Sequence, residues 1–158
     1  MFYRFYSVPT PPGLFARQPS LSSCFQLYFE RTDYVQMKHK KILIADDNEN
    51  IREALTYLLE DAGYTVSLAK DGAEALRKVR EVSPDILFLD IMMPEINGYD
   101  VCRAIKNDPD LKIYVIMLTA KGQADEQERG KAVGADEYVV KPFSPMEILS
   151  KIKNILNK

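Results

Sequence analysis

Four short apolar segments of this 158-residue chain each run directly into side chains that could take part in metal or phosphoryl chemistry. Short unbroken apolar runs, such as the one at 86–89, are typical of strands covered on both faces of a parallel sheet. Because parallel strands share one direction, the four segment ends would lie along a single edge of the sheet, where open α/β sheets bind ligands. The side chains that follow the four runs are Asp46 and Asp47, Asp90, Thr119, and Lys141.

Three carboxylates at one sheet edge would repel one another and raise one another's pKa unless a cation lay among them. A hard divalent ion with oxygen ligands and retained waters fits such a set best, so the residues predict a Mg²⁺ site. The sequence disfavours a transition-metal site built on histidine, because His39 is the only histidine and precedes the first apolar run.

Asp90 is the residue best placed to act as a nucleophile, since aspartate carboxylates can accept phosphoryl groups. A phosphoryl group there would need its oxygens neutralised, which Mg²⁺, the Lys141 ammonium and the Thr119 hydroxyl could supply from three sides. Each feature taken singly has a plainer interpretation: an aspartate at a strand end often caps the next helix, as Thr119 could, and Lys141 could be a surface lysine. Their coincidence at successive strand ends favours the chemical interpretation.

Strand and helix patterns alternate from Lys41 onward and place these residues in a fold. Five strands are predicted, at 42–45, 65–69 (with the alternation of an edge strand), 86–89, 114–118 and 137–140. Apolar residues at helical spacing predict the helices between and after them. These stripes are Ile51, Ala54, Leu55, Leu58, Leu59 and Ala62; Ala73, Leu76 and Val79; Val101, Cys102 and Ile105; and Ile148, Leu149, Ile152, Ile155 and Leu156.

Boundary residues support this division of the chain. Gly63 is expected to end the first helix, Asp71 to cap the second, and Ser83 with Pro84 to close it. Pro94, together with the Asn-Gly pair at 97–98, is expected to stop the central strand and to force a loop over its terminal acid.

The segment 122–134 is also predicted to be helical, but its signal is weak. It is rich in charge, contains Gly130 midway and offers few apolar residues, so it is a candidate for a mobile element. With this segment included, five strands alternate with five helices. That pattern predicts an α/β fold with a doubly wound parallel sheet and right-handed crossovers.

Residues 1–36 differ in composition from the rest of the chain. They hold nine of the sixteen aromatic residues but only five charged ones, and prolines interrupt any regular pattern. No clear apolar segment indicates a secretory signal, and a slight excess of basic residues leaves a transit peptide open as an alternative. We interpret 1–36 as an extension that is disordered or a start-site artefact. Residues 37–158 then form the functional domain, because the sequence from Met37 is a compact, strand-first start.

Charge and cysteine content bound the classes of partner and compartment. The net charge of −2 gives no reason to expect a nucleic-acid or membrane surface. The apolar runs are far shorter than the roughly 18 residues that a membrane span requires. Cys24 and Cys102 are the only cysteines and lack metal-site spacing, which favours a reducing, cytoplasmic compartment.

Four stretches of this sequence resemble the receiver domain of two-component response regulators: ILIADD, LFLDIMMPEINGYD, VIMLTAKG and GADEYVVKPF. The resemblance covers residues 41 to about 157 and implies a flavodoxin-like (βα)5 fold with strand order 2-1-3-4-5. It implies that Asp90 is the phosphoacceptor and that Mg²⁺ is held by Asp46, Asp47, Asp90 and the backbone carbonyl of Met92. It also implies that Lys141 pairs with the phosphate, that Thr119 and Tyr138 are the switch hydroxyl and aromatic, and that Lys141–Pro142 is a cis peptide.

The resemblance implies a stand-alone signalling protein that is not an enzyme acting on other substrates. A sensor histidine kinase or a histidine phosphotransfer protein would donate the phosphoryl group. The output surface would be the face formed by the predicted fourth helix, fifth strand and fifth helix. This face would control a downstream protein or form a phosphorylation-linked homodimer. Two alternatives remain. One is an aspartyl-phosphate phosphatase, although Met92 stands where such enzymes usually carry a second acid. The other is an interaction module that is never phosphorylated, against which the complete set of site residues argues.

Overall fold

The computed structural model describes residues 40–120 and 132–156, and within them it contains one five-stranded parallel sheet. The predicted α/β fold class and all five predicted strands are confirmed. The elements in chain order are β1 (Lys41–Ala45), α1 (Glu49–Asp61), β2 (Thr65–Ala69), α2 (Gly72–Val82), β3 (Ile86–Asp90), α3 (Gly98–Lys106), β4 (Tyr114–Ala120), β5 (Glu137–Lys141) and α4 (Pro145–Leu156).

The strands lie in the order β2-β1-β3-β4-β5, so the predicted order is confirmed and β2 is an edge strand as expected. All four strand pairs are parallel. Because β1 has β2 on one side and β3 on the other, the chain winds in opposite directions from the middle of the sheet. The carboxyl ends of β1 and β3 therefore flank the crevice in which doubly wound sheets bind ligands.

Two apolar cores cover the two faces of the sheet, since successive side chains of a strand point in opposite directions. The core of one face contains buried residues of α2 and α3 and includes Met117 of β4. The core of the other face contains buried residues of α1 and α4 and includes Ile44, Phe88 and Val139. All five residues of β3 are buried, as its unbroken apolar run predicted.

Side chains at the helix starts close the turns that follow the strands. Asn48, Asp71 and Asn97 accept hydrogen bonds from backbone N–H groups of the first turns of α1, α2 and α3, respectively. The predicted cap at Asp71 is thus confirmed. Helix α2 ends at Ser83, whose φ of 48° is left-handed, immediately before Pro84.

Two alanines that the sequence patterns placed on inward-facing stripes are exposed: Ala54 in α1 and Ala73 in α2. In α2, Val79 is buried as predicted, and the other buried positions are Gly72 and Ala75. The prediction was wrong because alanine is a strong helix former that is also common on exposed helix faces, so it marks the buried stripe poorly.

The interpretation of residues 1–36 lies outside the described residues, as does almost all of the predicted 122–134 helix. Within the described ranges, no helix has the length and apolar character needed to cross a membrane.

Candidate functional site

The Lys141 ammonium joins two of the predicted site acids at the carboxyl edge of the sheet. Its Nζ donates hydrogen bonds to Asp46 Oδ2 at 2.6 Å and to Asp90 Oδ1 at 2.7 Å. Asp46 is fully buried and Asp90 is 6% exposed. The structure therefore brings together three groups that are far apart along the chain, as the strand-end pattern predicted.

Strand alternation explains why these three side chains meet. Asp46, Asp90 and Lys141 each follow by two residues a member of the core on the α1 and α4 side: Ile44, Phe88 and Val139, respectively. Side chains two apart on a strand share a face. All three therefore project from the same side of the sheet edge.

Thr119 lies at the same edge but on the opposite face of β4, because it follows Met117 of the other core by two residues. Thr119 is 3% exposed, and its Oγ1 donates a hydrogen bond to the Ala120 carbonyl at 3.2 Å. In the sheet, Asp90 pairs with Leu118, so Thr119 is one position beyond the acid on the neighbouring strand. It lies next to the three-residue cluster without belonging to its face.

Asp46, Asp47 and Asp90 could together hold one metal ion. Each offers a carboxylate oxygen, and these oxygens all lie within 4.8 Å of one another. The three carboxylates carry more negative charge than the bonded Lys141 ammonium can neutralise. A divalent ion could neutralise the excess. Asp47 is exposed, so an ion there could retain waters, and the all-oxygen ligand set suits Mg²⁺.

Four hydrogen bonds fix Asp46. Its N–H donates to the Ala69 carbonyl at 3.2 Å, and its Oδ1 accepts from the Asn48 N–H at 2.9 Å. Besides the bond from Lys141, its carbonyl oxygen accepts from Arg52 Nη1 at 2.7 Å. Sequence analysis did not identify Arg52. The available signal was its position in the first turn of the helix that follows the paired acids.

The pKa values of Asp90 and Lys141 are both raised, for different reasons. Burial is the main cause for Asp90, and the charges of Asp46 and Asp47 add to it, while Lys141 opposes both effects. Burial alone would lower the pKa of Lys141, but its hydrogen bonds to Asp46 and Asp90 outweigh this effect and raise the pKa. The Lys141 ammonium therefore stays charged, and it lies beside Asp90, whose ionised form is energetically unfavourable.

The loop at 91–97, called the acceptor loop below, is held tightly after β3. The Gly98 N–H donates to the Ile91 carbonyl at 3.0 Å, and a Cβ on Gly98 would overlap the Asp90 carbonyl oxygen. Glu95 has a left-handed φ of 63°. The Met92 side chain is 71% exposed, which agrees with a role for its backbone alone. The loop was predicted from Pro94 and the Asn-Gly pair, but the left-handed backbone of Glu95 was not predicted.

Tyr138 lies on β5 beside Met117 and packs against the core on the α2 and α3 side. Its hydroxyl is buried and has no hydrogen-bond partner among the described residues. Burial is the main cause that raises its pKa to about 12. Tyr138 and Thr119 therefore share one face of adjacent strands. The expected cis peptide at Lys141–Pro142 is also present.

Comparisons with known proteins agree with this geometry. A family model described as the response regulator receiver domain matches residues 42–153. The chain is 46% identical over 119 residues to the probable transcriptional regulator ycf27 of Guillardia theta, which covers 75% of this chain and 46% of that protein. It is 42% identical over 120 residues to the alkaline phosphatase synthesis transcriptional regulatory protein PhoP of Bacillus subtilis, which covers 76% of this chain and 50% of that protein.

Solved structures give the same result for the fold. The Vibrio cholerae chemotaxis protein CheY4 is 35% identical with a TM-score of 0.70, over 74% of this chain and 98% of that chain. By contrast, this chain spans about half the length of the curated relatives named above.

Proposed function

Because this chain belongs to the response regulator receiver domain family, we propose that it accepts a phosphoryl group on Asp90 from a phosphohistidine donor and signals through protein contacts. The observation that carries the proposal is the Lys141 ammonium bonded to both Asp46 and Asp90 at the carboxyl edge of the sheet. A sensor histidine kinase or a histidine phosphotransfer protein is the proposed donor. Asp46, Asp47, Asp90 and the Met92 carbonyl are the proposed ligands of a Mg²⁺ ion.

The proposed reaction exchanges one phosphorus bond for another. An ionised Asp90 oxygen attacks the phosphorus of the donor's phosphohistidine; an O–P bond forms while the P–N bond breaks, and the imidazole leaves with the bonding electron pair. Lys141 is already within hydrogen-bonding distance of the nucleophile and can follow the transferred oxygens. A bound Mg²⁺ would supply further neutralisation of the phosphoryl charge.

An apolar cavity beside the site is the proposed contact for a donor protein. Its volume is about 370 Å³, and its lining comes from the start of α1 and the ends of β4 and β5. The lining residues are Ile51, Ala120, Lys141, Pro142 and Phe143. A partner side chain in this cavity would approach Lys141 directly, which is where a phosphohistidine has to be delivered.

The proposed output depends on the shared face of Thr119 and Tyr138. Phosphorylation adds roughly two negative charges at Asp90 and draws the Thr119 hydroxyl toward the new oxygens. The movement of Thr119 vacates space beside β5, and Tyr138 repacks into it. This repacking shifts a pre-existing equilibrium between two conformations of the surface around β5 and α4. That surface is the proposed contact for a downstream protein or for a second copy of the chain.

The mass of the protein after incubation with acetyl phosphate tests the acceptor assignment. We expect a Mg²⁺-dependent gain of one phosphate that is absent in Asp90→Asn. The matched control is Asp85→Asn, which changes the acid at the opposite end of the same strand and should keep the gain. Labelling retained in Asp90→Asn would contradict the assignment, and no gain in the unsubstituted protein would favour a module that is never phosphorylated.

The domain assignment and the partner classes remain proposals as well. We propose that 37–158 acts as an autonomous cytoplasmic receiver without a nucleic-acid partner. The relatives named above are transcriptional regulators about twice as long as the matched region, so this point needs its own test. Removal of 1–36 should leave both the melting temperature and acetyl-phosphate labelling unchanged. A change in either would show that the extension acts on the domain, and salt-sensitive binding of the chain to duplex DNA would contradict the absence of a nucleic-acid partner.

A further inference from the structure

Gly72 begins α2 at a position where the backbone does not require glycine. Among the described residues, the glycines with left-handed φ are Gly63 and Gly134, so Gly72 has a conformation open to other residues. Alanine is a better helix former at such a position. The absence of a side chain at the buried Gly72 therefore needs a packing reason.

The packing reason is direct contact with the acceptor loop. A Cβ built on Gly72 would overlap the Ile96 carbonyl oxygen and would lie 2.8 Å from the Ile96 Cβ and 3.0 Å from its carbonyl carbon. Real Cβ atoms essentially never come closer than 3.0 Å to such atoms. The first turn of α2 thus lies against the backbone of the loop that follows Asp90, with no space for even one methyl group.

The acceptor loop has little conformational freedom to accommodate a displacement of Ile96. The Ile96 N–H donates to the Pro94 carbonyl at 2.8 Å, proline restricts its own φ, and Glu95 is already left-handed. On the other side, the Asn97 side chain accepts from the Asp100 N–H at 3.0 Å at the start of α3. Because these bonds limit relaxation within 94–97, a displaced Ile96 would strain the part of the loop nearer to β3, which contains Met92.

Helix α2 is also anchored and cannot easily withdraw. Asp71 Oδ1 accepts from the Glu74 N–H at 2.7 Å, and Glu74 Oε2 accepts from the Lys70 N–H at 2.9 Å. Further along, Ala75 and Val79 are fully buried in the core. The contact between Gly72 and Ile96 therefore joins two elements that are each fixed elsewhere.

We propose that Gly72 is a positioning residue for the phosphoacceptor site: its missing side chain lets α2 support the acceptor loop at the height where the Met92 carbonyl can bind a divalent cation. This inference rests on the proposed Mg²⁺-dependent function. It extends the site to a helix that contributes no side chain to the acidic cluster.

Calorimetric titration of the unphosphorylated protein with Mg²⁺ tests the inference without any phosphoryl transfer. We expect Gly72→Ala to weaken Mg²⁺ binding by about tenfold or more. The control is Val79→Ala, which removes buried volume from the same helix away from the loop and should lower the melting temperature while leaving Mg²⁺ affinity within about twofold.

The outcomes separate the inference from the proposed function. Equal Mg²⁺ affinity in Gly72→Ala and the unsubstituted protein overturns the role of Gly72 alone, as does an equal loss in Gly72→Ala and Val79→Ala. Absence of Mg²⁺ binding in the unsubstituted protein overturns the proposed function instead. If Gly72→Ala does not fold, Ile96→Gly probes the contact from the loop side. It should weaken Mg²⁺ binding more than Val79→Ala does, and unchanged affinity would count against the inference.

Discussion

The two edges of the sheet use the same residue types in opposite ways. At the carboxyl edge, Asp46, Asp47 and Asp90 form a cluster bonded to one ammonium, that of Lys141. At the amino edge, three acids beside the strand starts each form an ion pair with a separate lysine. Those pairs are Asp85 with Lys40 at 2.8 Å, Asp136 with Lys106, and Glu137 with Lys151.

The amino-edge acids also complete the hydrogen bonding of the strand starts. Asp85 Oδ2 accepts from the Lys41 N–H at 2.9 Å, and Asp136 Oδ2 accepts from the Val115 N–H at 2.7 Å. Although burial raises the pKa of Asp85, its hydrogen bonds to Lys40 and Lys41 outweigh that effect and lower it. Asp90, at the other end of the same strand, has a raised pKa. The local ratio of cations and donors to acids thus differs between the edges: it favours the ionised form of Asp85 and leaves ionisation of Asp90 costly.

Removal of the ammonium that bonds to both Asp46 and Asp90 should have the largest effect. Lys141→Met leaves Asp46 and Asp90 buried without their cation, which is expected to cost about 3–5 kcal/mol of unfolding free energy. Lys151→Met at the amino edge removes a lysine from a partly exposed pair and should cost about 0–1 kcal/mol. Urea unfolding in the presence of a metal chelator measures both. Similar losses for the two variants would mean that the edges do not differ as described.

Neutralising an amino-edge acid should destabilise the fold without affecting the proposed chemistry. Asp85→Asn loses charge-assisted bonds from Lys40 and Lys41, for an expected cost of about 1–2 kcal/mol. Because the pKa of Asp85 is lowered in the folded state, its contribution is present above the ordinary aspartate value and is lost as the pH falls through the folded pKa. The stability difference between this variant and the unsubstituted protein should therefore shrink in acid, as followed by urea unfolding at several pH values. A difference that grew in acid would contradict this prediction.

The same substitution at the carboxyl edge should have the opposite sign. Asp90→Asn removes a costly buried charge and should stabilise the protein by about 0.5–1 kcal/mol while it abolishes phosphate incorporation. Because the pKa of Asp90 is raised in the folded state, its ionisation costs stability as the pH rises through that pKa. The gain from Asp90→Asn should thus be absent in strong acid and appear toward neutral pH. Melting temperatures at matched pH values measure it, and a loss of stability at neutral pH would contradict the prediction.

The sequence was sufficient to predict those parts of the site that depend on strand period and direction. Asp46, Asp90 and Lys141 could be placed together because each ends an apolar run, and parallel strands end at the same edge. Residues whose roles depend on contact between distant elements could not be predicted. Arg52 donates to the Asp46 carbonyl, and Gly72 packs on Ile96. Neither contact produces a periodic pattern in the sequence. Ala54 and Ala73 were misplaced because alanine suits either face of a helix.

The wide spacing of the Lys141 contacts has a consequence during protein synthesis. Lys141 is 51 residues after Asp90 and 95 residues after Asp46. A chain emerging from the ribosome therefore exposes Asp46 and Asp90 well before the lysine that bonds to both. If Asp90 accepts a phosphoryl group as proposed, the site would be complete only after β5 has joined the sheet.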